Sequence, residues 1–175
     1  SYKGLDLLAE AWPTVVAERP DVRLLLVGAA HGSQPDLERL RRLPGVEIRE
    51  GFVPDDDIDA WAAAADVLVL PYRHGAHSGV LHRGLAAATP VIGSPSLSEE
   101  IERTGAGATV PLDAQCWSQA LVAALGADPL PAPTPPAGGA TLAATLTVYR
   151  DVLDRRRSPG SRVGAGRRKR PVSTP

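Results

Sequence analysis

The residues best suited to chemistry follow a short apolar run in the middle of the chain. Residues 67–70 are apolar and β-branched at Val67 and Val69, as expected of a parallel strand that is covered on both faces. A loop over 71–78 comes next, and Ser78 with Gly79 begins a predicted helix. Ligands of open α/β sheets bind at the carboxyl ends of the strands, and the N–H groups and dipole of a helix start attract anions. The pattern therefore predicts a site for an anion, phosphate above all.

Helices and strands alternate on both sides of this loop. Helices are predicted where apolar residues recur at spacings of three and four, and strands where short apolar runs end at glycine, proline or a charged residue. The predicted helices cover 5–19, 35–43, 55–65, a segment from Ser78 to the Thr89-Pro90 break, 96–103 and 113–126. The predicted strands cover 22–27, 46–49, 67–70, 90–93 and 108–110.

This alternating order, with connections of a few residues, predicts the fold class. Residues 1–126 should form an α/β domain, a Rossmann-like doubly wound parallel sheet with helices on both faces. Pro13 should kink or break the first helix because it lacks an N–H group. Asp55 or Asp56 is expected to cap the third helix, and Asp113 the last one.

Composition limits the classes of protein to consider. The chain has 175 residues, a formal net charge of −1 and one cysteine, Cys116, so we expect one main core, no internal disulfide and no cysteine-based metal cluster. No apolar run approaches the roughly 20 residues of a membrane-spanning helix. The chain opens in helix-like sequence without an initiating methionine, so we interpret it as a piece of a longer protein. The single cysteine fits a reducing compartment, and we expect a cytoplasmic location.

The last third of the chain has a different character. Residues 127–139 are predicted to be a Pro/Gly linker, 140–157 a C-terminal helix and 158–175 a disordered basic tail. The arginines of this region suit nucleic acid or anionic lipid, but aromatic residues are not interleaved with them. We therefore expect no nucleic-acid partner, favour a tail without a binding role, and keep peripheral association with the inner face of a membrane as an alternative.

Seven short motifs in order resemble the C-terminal, donor-binding domain of group-1 glycosyltransferases with the GT-B fold. The motifs are KGLDLL at 3–8, LLLVG at 24–28, VxxxxGFVP at 46–54, AADVLVLP at 64–71, SGVL at 78–81, ATPVI at 88–92 and GAGATVP at 105–111. The resemblance implies one half of a two-domain GT-B architecture. The first strand of that half, with a Gly-Arg pair, and the N-terminal acceptor-binding domain would then precede Ser1.

The resemblance also implies a donor site. Lys3 matches a lysine on the donor diphosphate, although a lysine near a helix start is often merely solvated. Backbone N–H groups of Ser78, Gly79 and Val80 match the phosphate-binding helix start; an ordinary serine cap is the alternative. The candidates for nucleotide contact are Gly28, Phe52 and Val53. Gly28 is equally well explained as a plain turn, and we expect the Phe52 ring to be a core residue in addition to its backbone role.

The sequence departs from the family pattern at the same site. The family's two glutamates fall at Gly75 and Arg83, and a glutamate that some relatives have four residues after the serine falls at His82. A carboxylate for the ribose hydroxyls is therefore missing, whereas an arginine there could reach a phosphate. The candidates for contact with the donor sugar are Arg73, His77, His82 and Arg83. We assign less weight to His74, expect His31 to be an ordinary loop residue, and interpret Glu99 and Glu100 as acids at a helix start.

These residues favour an enzyme. The resemblance implies transfer of a hexose from a UDP- or GDP-linked sugar to a glycan, lipid or small acceptor, with retention, in carbohydrate biosynthesis. It implies no metal and no further cofactor, because Lys3 and helix-start N–H groups take the place of a divalent ion. No catalytic residue can be named, and we expect the chain alone to be inactive. The alternative is a degenerate GT-B domain that serves as a binding or structural module; a sugar-nucleotide epimerase is a more distant one.

Overall fold

Helices and strands alternate along the part of the chain that the computed structural model describes, which is residues 2–29, 34–75, 78–126 and 130–134. The described helices are α1 (Leu5–Glu18), α2 (Gln34–Arg41), α3 (Asp55–Ala64), α4 (Gly79–Ala86), α5 (Ser98–Thr104) and α6 (Ala114–Ala124). The described strands are β1 (Leu24–Gly28), β2 (Val46–Glu50), β3 (Leu68–Leu70), β4 (Val91–Gly93) and β5 (Gly107–Thr109). A 3-10 turn, Pro95–Leu97, precedes α5. The predicted order of elements is confirmed.

The described strands are all parallel, but their hydrogen bonds form two groups. β1 pairs with β2, starting at Leu24 opposite Val46. β4 pairs with β3 on one side and with β5 on the other. Within the described ranges, no ladder joins β1 to β3. The predicted parallel sheet is therefore present in two parts, each with short strands.

Helices pack against both faces of β4. One hydrophobic cluster includes Val15 of α1, Leu40 of α2, Trp117 of α6 and Ile92 of β4. A second cluster includes Val91, the residue next to Ile92, with side chains from α4 and α5. Because successive side chains of a strand point to opposite faces, the two clusters lie on opposite sides of β4. The doubly wound arrangement is confirmed.

Helix α1 is continuous through its proline. Pro13 lies inside Leu5–Glu18, so the predicted break is absent. The helix buries a face that includes Leu8, Trp12 and Val15, and the Trp12 indole donates a hydrogen bond of 2.8 Å to the Pro44 carbonyl. This packing outweighs the backbone hydrogen bond that a proline removes.

Two details of the prediction are wrong. Neither Asp55 nor Asp56 caps α3: the helix begins at Asp55, and Pro54 occupies the cap position without a side-chain hydrogen bond. The Asp55 carboxylate instead accepts a hydrogen bond of 2.7 Å from Arg83. The Phe52 side chain is not in the core, because it is 93% exposed. It follows Gly51, whose φ of 125° turns the chain away from the end of β2.

The cap predicted for the last helix is confirmed. The Asp113 carboxylate accepts a hydrogen bond of 2.9 Å from the Cys116 backbone N–H at the start of α6. The predicted C-terminal helix at 140–157 and the basic tail lie outside the described residues, as does most of the predicted linker. Within the described ranges, no helix combines the length and the apolar character needed to cross a membrane.

Candidate functional site

A pocket of about 250 Å³ opens at the carboxyl end of β3. Its walls come from the segment before α1, the loop after β3, the start of α4 and one residue of α3. The lining residues are Tyr2, Lys3, Ile58, Tyr72, His74, Gly75, Ser78, Gly79, Val80 and Arg83. The structure therefore brings together Lys3 and the start of α4, which lie far apart in the sequence. This is the edge of the strands at which ligands of α/β proteins bind.

The start of α4 has the geometry of a capped helix. The Ser78 backbone is extended, and its buried hydroxyl accepts a hydrogen bond of 3.4 Å from the Leu81 N–H. The first N–H groups of a helix have no acceptor within the helix, so those of Gly79 and Val80 are suited to an anion. A Cβ added at Gly79 would meet no atom of the described residues within 4 Å, so this backbone is not covered by the described part of the chain.

The ammonium of Lys3 lies close to two tyrosine rings. Nζ donates a hydrogen bond of 2.9 Å to the Tyr72 hydroxyl and lies 4.1 Å from the centroid of the Tyr72 ring. The centroid of the Tyr2 ring is 4.9 Å away. Burial lowers the pKa of Lys3, but hydrogen bonding and electrostatic attraction to Tyr72 and then Tyr2 outweigh it and raise the pKa above its ordinary value. Lys3 is therefore a cation at neutral pH.

The segment before α1 is anchored to the loop after β3. Arg73 donates its backbone N–H to the Tyr2 carbonyl at 2.8 Å, and its guanidinium forms an ion pair with Asp6. The Tyr2 ring stacks on His74 with centroids 5.6 Å apart. Arg73 therefore holds two segments together and does not line the pocket, whereas His74 does.

Arg83 lies on α4, and its charge is already paired. Its guanidinium forms ion pairs with Asp55, at 2.7 Å, and with Asp59, both on α3. It also donates to the Asp55 carbonyl at 3.1 Å. These contacts join α4 to α3 and draw the guanidinium toward α3, although Arg83 still contributes to the pocket wall.

His82 faces a different environment from Lys3. Its Nε2 lies 2.9 Å from a carboxylate oxygen of Glu100, and the Glu100 side chain is only 7% exposed. His82 lines a second, more open pocket of about 590 Å³ between α3 and α4, which shares Gly79 and Arg83 with the first. Glu99 and Glu100 do lie in the first turn of α5, as predicted, but Glu100 also holds His82.

The three candidates for nucleotide contact lie at the ends of other strands. Gly28 ends β1, and its carbonyl accepts a hydrogen bond of 3.2 Å from the N–H of Gly51, just before Phe52 and Val53. None of the three candidates lines the pocket that contains Lys3. His77 and His31, two further residues that the sequence singled out, lie outside the described residues.

The sequence analysis did not predict that Tyr2, Tyr72 and Glu100 lie near the site. Tyr72 follows the Leu70-Pro71 end of a buried strand, where site residues are common, so its position was a usable signal. The contact between Tyr72 and Lys3 could not be predicted from a local sequence pattern, because 69 positions separate the two residues. Glu100 was attributed to its helix start alone, because its burial depends on how α5 packs.

Parallel strands with helices on both faces and a pocket at their carboxyl ends define a Rossmann-like α/β domain. The fold is similar to that of Anabaena HepE in a crystal structure with UDP and glucose, with a TM-score of 0.60 and 18% identity. That likeness covers 89% of this chain and 45% of the HepE chain, so this chain spans less than half of that one. The predicted Rossmann-like half of a GT-B architecture is thereby confirmed.

The family follows from the sequence profile. The profile of the family described as Glycosyl transferases group 1 matches residues 1–127. The chain therefore belongs to the group 1 glycosyltransferases, as its motifs predicted. No curated protein matches it.

Proposed function

We propose that this chain is the donor-binding half of a hexosyltransferase. It binds a UDP- or GDP-linked sugar and serves the transfer of the hexose to a glycan, lipid or small acceptor, with retention of configuration. The observation that carries the proposal is the convergence of a cation, Lys3, and the start of α4 on one pocket at the carboxyl end of β3. The family and the UDP in the HepE structure support a nucleotide sugar as the ligand.

The two groups have complementary parts in the reaction. The N–H groups at the start of α4 hold the diphosphate of the donor, and the Lys3 ammonium stabilises the negative charge that grows on it as the sugar leaves. Because both groups are supplied by the protein, the proposed mechanism needs no divalent ion. Backbone groups of Phe52 and Val53, just after β2, hold the nucleotide base in this proposal. Gly28, at the end of β1, lets the backbone approach the nucleotide.

The acceptor site belongs to a second domain of the same protein in this proposal. The HepE chain is more than twice as long as the part that this chain matches, which leaves room for such a domain. The catalytic contacts to the acceptor would lie there, so the chain alone would bind donor without transferring sugar. A reducing, cytoplasmic location suits the single cysteine.

The second candidate is a binding or structural module: a GT-B domain that has kept the fold but no longer binds a sugar donor. The observation that favours it is the state of Arg83, which occupies a position where the family pattern has a glutamate and is paired with two aspartates. A binding or structural module would then use the domain for partner contact.

Calorimetric titration of the 175-residue chain with UDP, GDP, UDP-glucose and GDP-mannose separates the two candidates. We expect at least one nucleotide to bind, and its nucleoside to bind more weakly because it lacks the diphosphate. Lys3→Ala should weaken nucleotide binding about tenfold, the size of one charge-assisted contact. Arg42→Ala removes an exposed cation elsewhere and should leave the affinity unchanged. Absence of binding to every nucleotide would contradict the donor role and favour the module.

Gly79→Leu provides a second, independent variant. Among the described residues, none lies within 4 Å of the position where a Cβ would stand, so the domain should fold with a larger side chain there. Glycine is also a poor helix former, so the change does not weaken α4. The leucine would border the pocket at the proposed diphosphate, and we expect nucleotide affinity to fall while the unfolding midpoint stays the same or rises. Unchanged affinity would place the diphosphate elsewhere.

A further inference from the structure

Tyr72 contacts the Lys3 ammonium through both its hydroxyl and its ring. We propose that Tyr72 is a positioning residue for the Lys3 ammonium, which its hydroxyl and ring hold at the wall of the pocket, ready for the diphosphate. The inference rests on the proposed donor function and adds to it a residue that acts through Lys3. Its basis is the hydrogen bond of 2.9 Å from Nζ to the Tyr72 hydroxyl and the ring face 4.1 Å away.

Tyr72 is placed by contacts that do not involve its hydroxyl. Its side chain is 7% exposed and belongs to the cluster that includes Leu81 and Leu85 of α4. Its backbone carbonyl accepts hydrogen bonds from the hydroxyls of Ser94, which is buried, and of Ser96, the latter at 3.0 Å. The ring is therefore a rigid support, and the hydroxyl can be removed without loss of the packing that places the ring.

Lysine needs such a support because its stem is long and flexible. Ordering a lysine side chain costs more conformational entropy than ordering most other side chains. If the folded protein has already restrained Nζ, a ligand does not bear this loss when it binds. The tyrosine hydroxyl accepts one of the three ammonium N–H bonds, and the ring faces attract the cation without neutralising it.

The test compares nucleotide affinities of four forms of the chain: wild type, Tyr72→Phe, Lys3→Ala and the double variant. The probe is whichever of UDP and GDP the wild type binds, and its own nucleoside is the control ligand. Tyr72→Phe should weaken binding of the diphosphate about five- to tenfold, since a hydrogen bond to a charged group is lost. It should leave nucleoside affinity unchanged and have no further effect once Lys3 is already alanine.

A readout on Lys3 itself distinguishes positioning from general stability. The Tyr72 hydrogen bond raises the pKa of Lys3, so Tyr72→Phe should lower that pKa, as followed by the carbon-13 shift of Cε in an NMR titration of the unliganded chain. A purely structural role would change the unfolding midpoint and leave the Lys3 titration as it is.

The results distinguish failure of the positioning role from failure of the donor function. If Lys3→Ala weakens diphosphate binding and Tyr72→Phe does not, the donor function stands and the positioning role is wrong. If Tyr72→Phe weakens diphosphate and nucleoside binding equally, or acts equally with and without Lys3, the positioning role is also wrong. If the wild-type chain binds neither nucleotide, the donor function fails and the positioning role fails with it, whatever the NMR titration shows.

Discussion

The Tyr72 hydroxyl and the Lys3 ammonium lie 2.9 Å apart, although 69 positions separate them in the chain. The contact joins the segment before α1 to the loop after β3. Arg73 strengthens the same connection through Tyr2 and Asp6. A cation and the start of α4 thereby line the same pocket, as the proposed diphosphate site requires.

Gly4 should be essential to this connection. It has a φ of 66°, and an added Cβ would lie 2.0 Å from the Pro71 carbonyl oxygen. Gly4→Ala should therefore destabilise the domain by more than about 2 kcal/mol, since a clash adds to the left-handed strain. Gly105→Ala is the matched control: its φ is 62°, but no described residue lies within 4 Å of the added Cβ, so a loss of about 1 kcal/mol is expected. Urea unfolding measures both, and equal losses would contradict the close approach of Gly4 to Pro71.

Phe52→Ala should leave both stability and nucleotide affinity nearly unchanged. The ring is 93% exposed, so its loss should change the free energy of unfolding by no more than about 0.5 kcal/mol. The proposed contact with the base uses the backbone, so affinity should change less than about twofold. Leu40→Ala, at a side chain with 0% exposure, is the contrasting control and should cost about 2–5 kcal/mol. A loss of similar size at Phe52 would show that the ring is buried in solution.

Acid should weaken the anchor between Asp6 and Arg73. Burial raises the pKa of Asp6, but the hydrogen bond and the charge of Arg73 outweigh it and lower the pKa below its ordinary value. A carboxyl group with a lowered folded-state pKa stabilises the fold above its unfolded pKa of about 3.9, and this stability is lost as pH falls through the folded value.

Asp6→Asn removes this titration and supplies the test. At pH 7 the variant should be less stable than the wild type by up to about 1 kcal/mol, the range of partly exposed ion pairs. The difference should shrink as pH falls below about 4. Urea unfolding at a series of pH values measures it, and a difference that persists unchanged in acid would contradict the ion pair.

Arg83 should contribute more to the joining of α3 and α4 than to nucleotide binding. A double-mutant cycle of Arg83→Gln with Asp59→Asn should give a coupling of up to about 1 kcal/mol in unfolding free energy, and 1 M NaCl should reduce it. Asp57→Asn is the control on the same helix, because the described ion pairs of Arg83 involve Asp55 and Asp59. No coupling is expected for Asp57.

The nucleotide affinity of Arg83→Gln tests whether this arginine reaches a phosphate. The two aspartates already neutralise the guanidinium, so the variant should lose less diphosphate affinity than Lys3→Ala. A loss as large as that of Lys3→Ala would mean that Arg83 leaves the aspartates when ligand binds. Arg83 would then be a residue of the donor site.

Local features of the chain were predicted well from sequence. Spacings of three and four placed α1 and α6, short apolar runs placed the strands, and Ser78 and Asp113 marked two helix starts. These features depend on neighbours within a few residues, so the order of residues determines them. The same is true of the motif order that predicted the family.

Contacts between residues that are distant in the chain could not be predicted in this way. The exposure of Phe52, the pairing of Arg83 with α3 and the burial of Glu100 against His82 each depend on which segments pack together. Sequence placed Lys3 and Ser78 in the candidate site through the family resemblance, whereas Tyr72 emerged from packing. Side-chain hydrogen bonds and ion pairs act over a few ångströms in space and carry no fixed spacing along the chain. The amino-acid sequence thus determined the elements and the family, and tertiary packing determined which residues each charged side chain contacts and which side chains line the pocket.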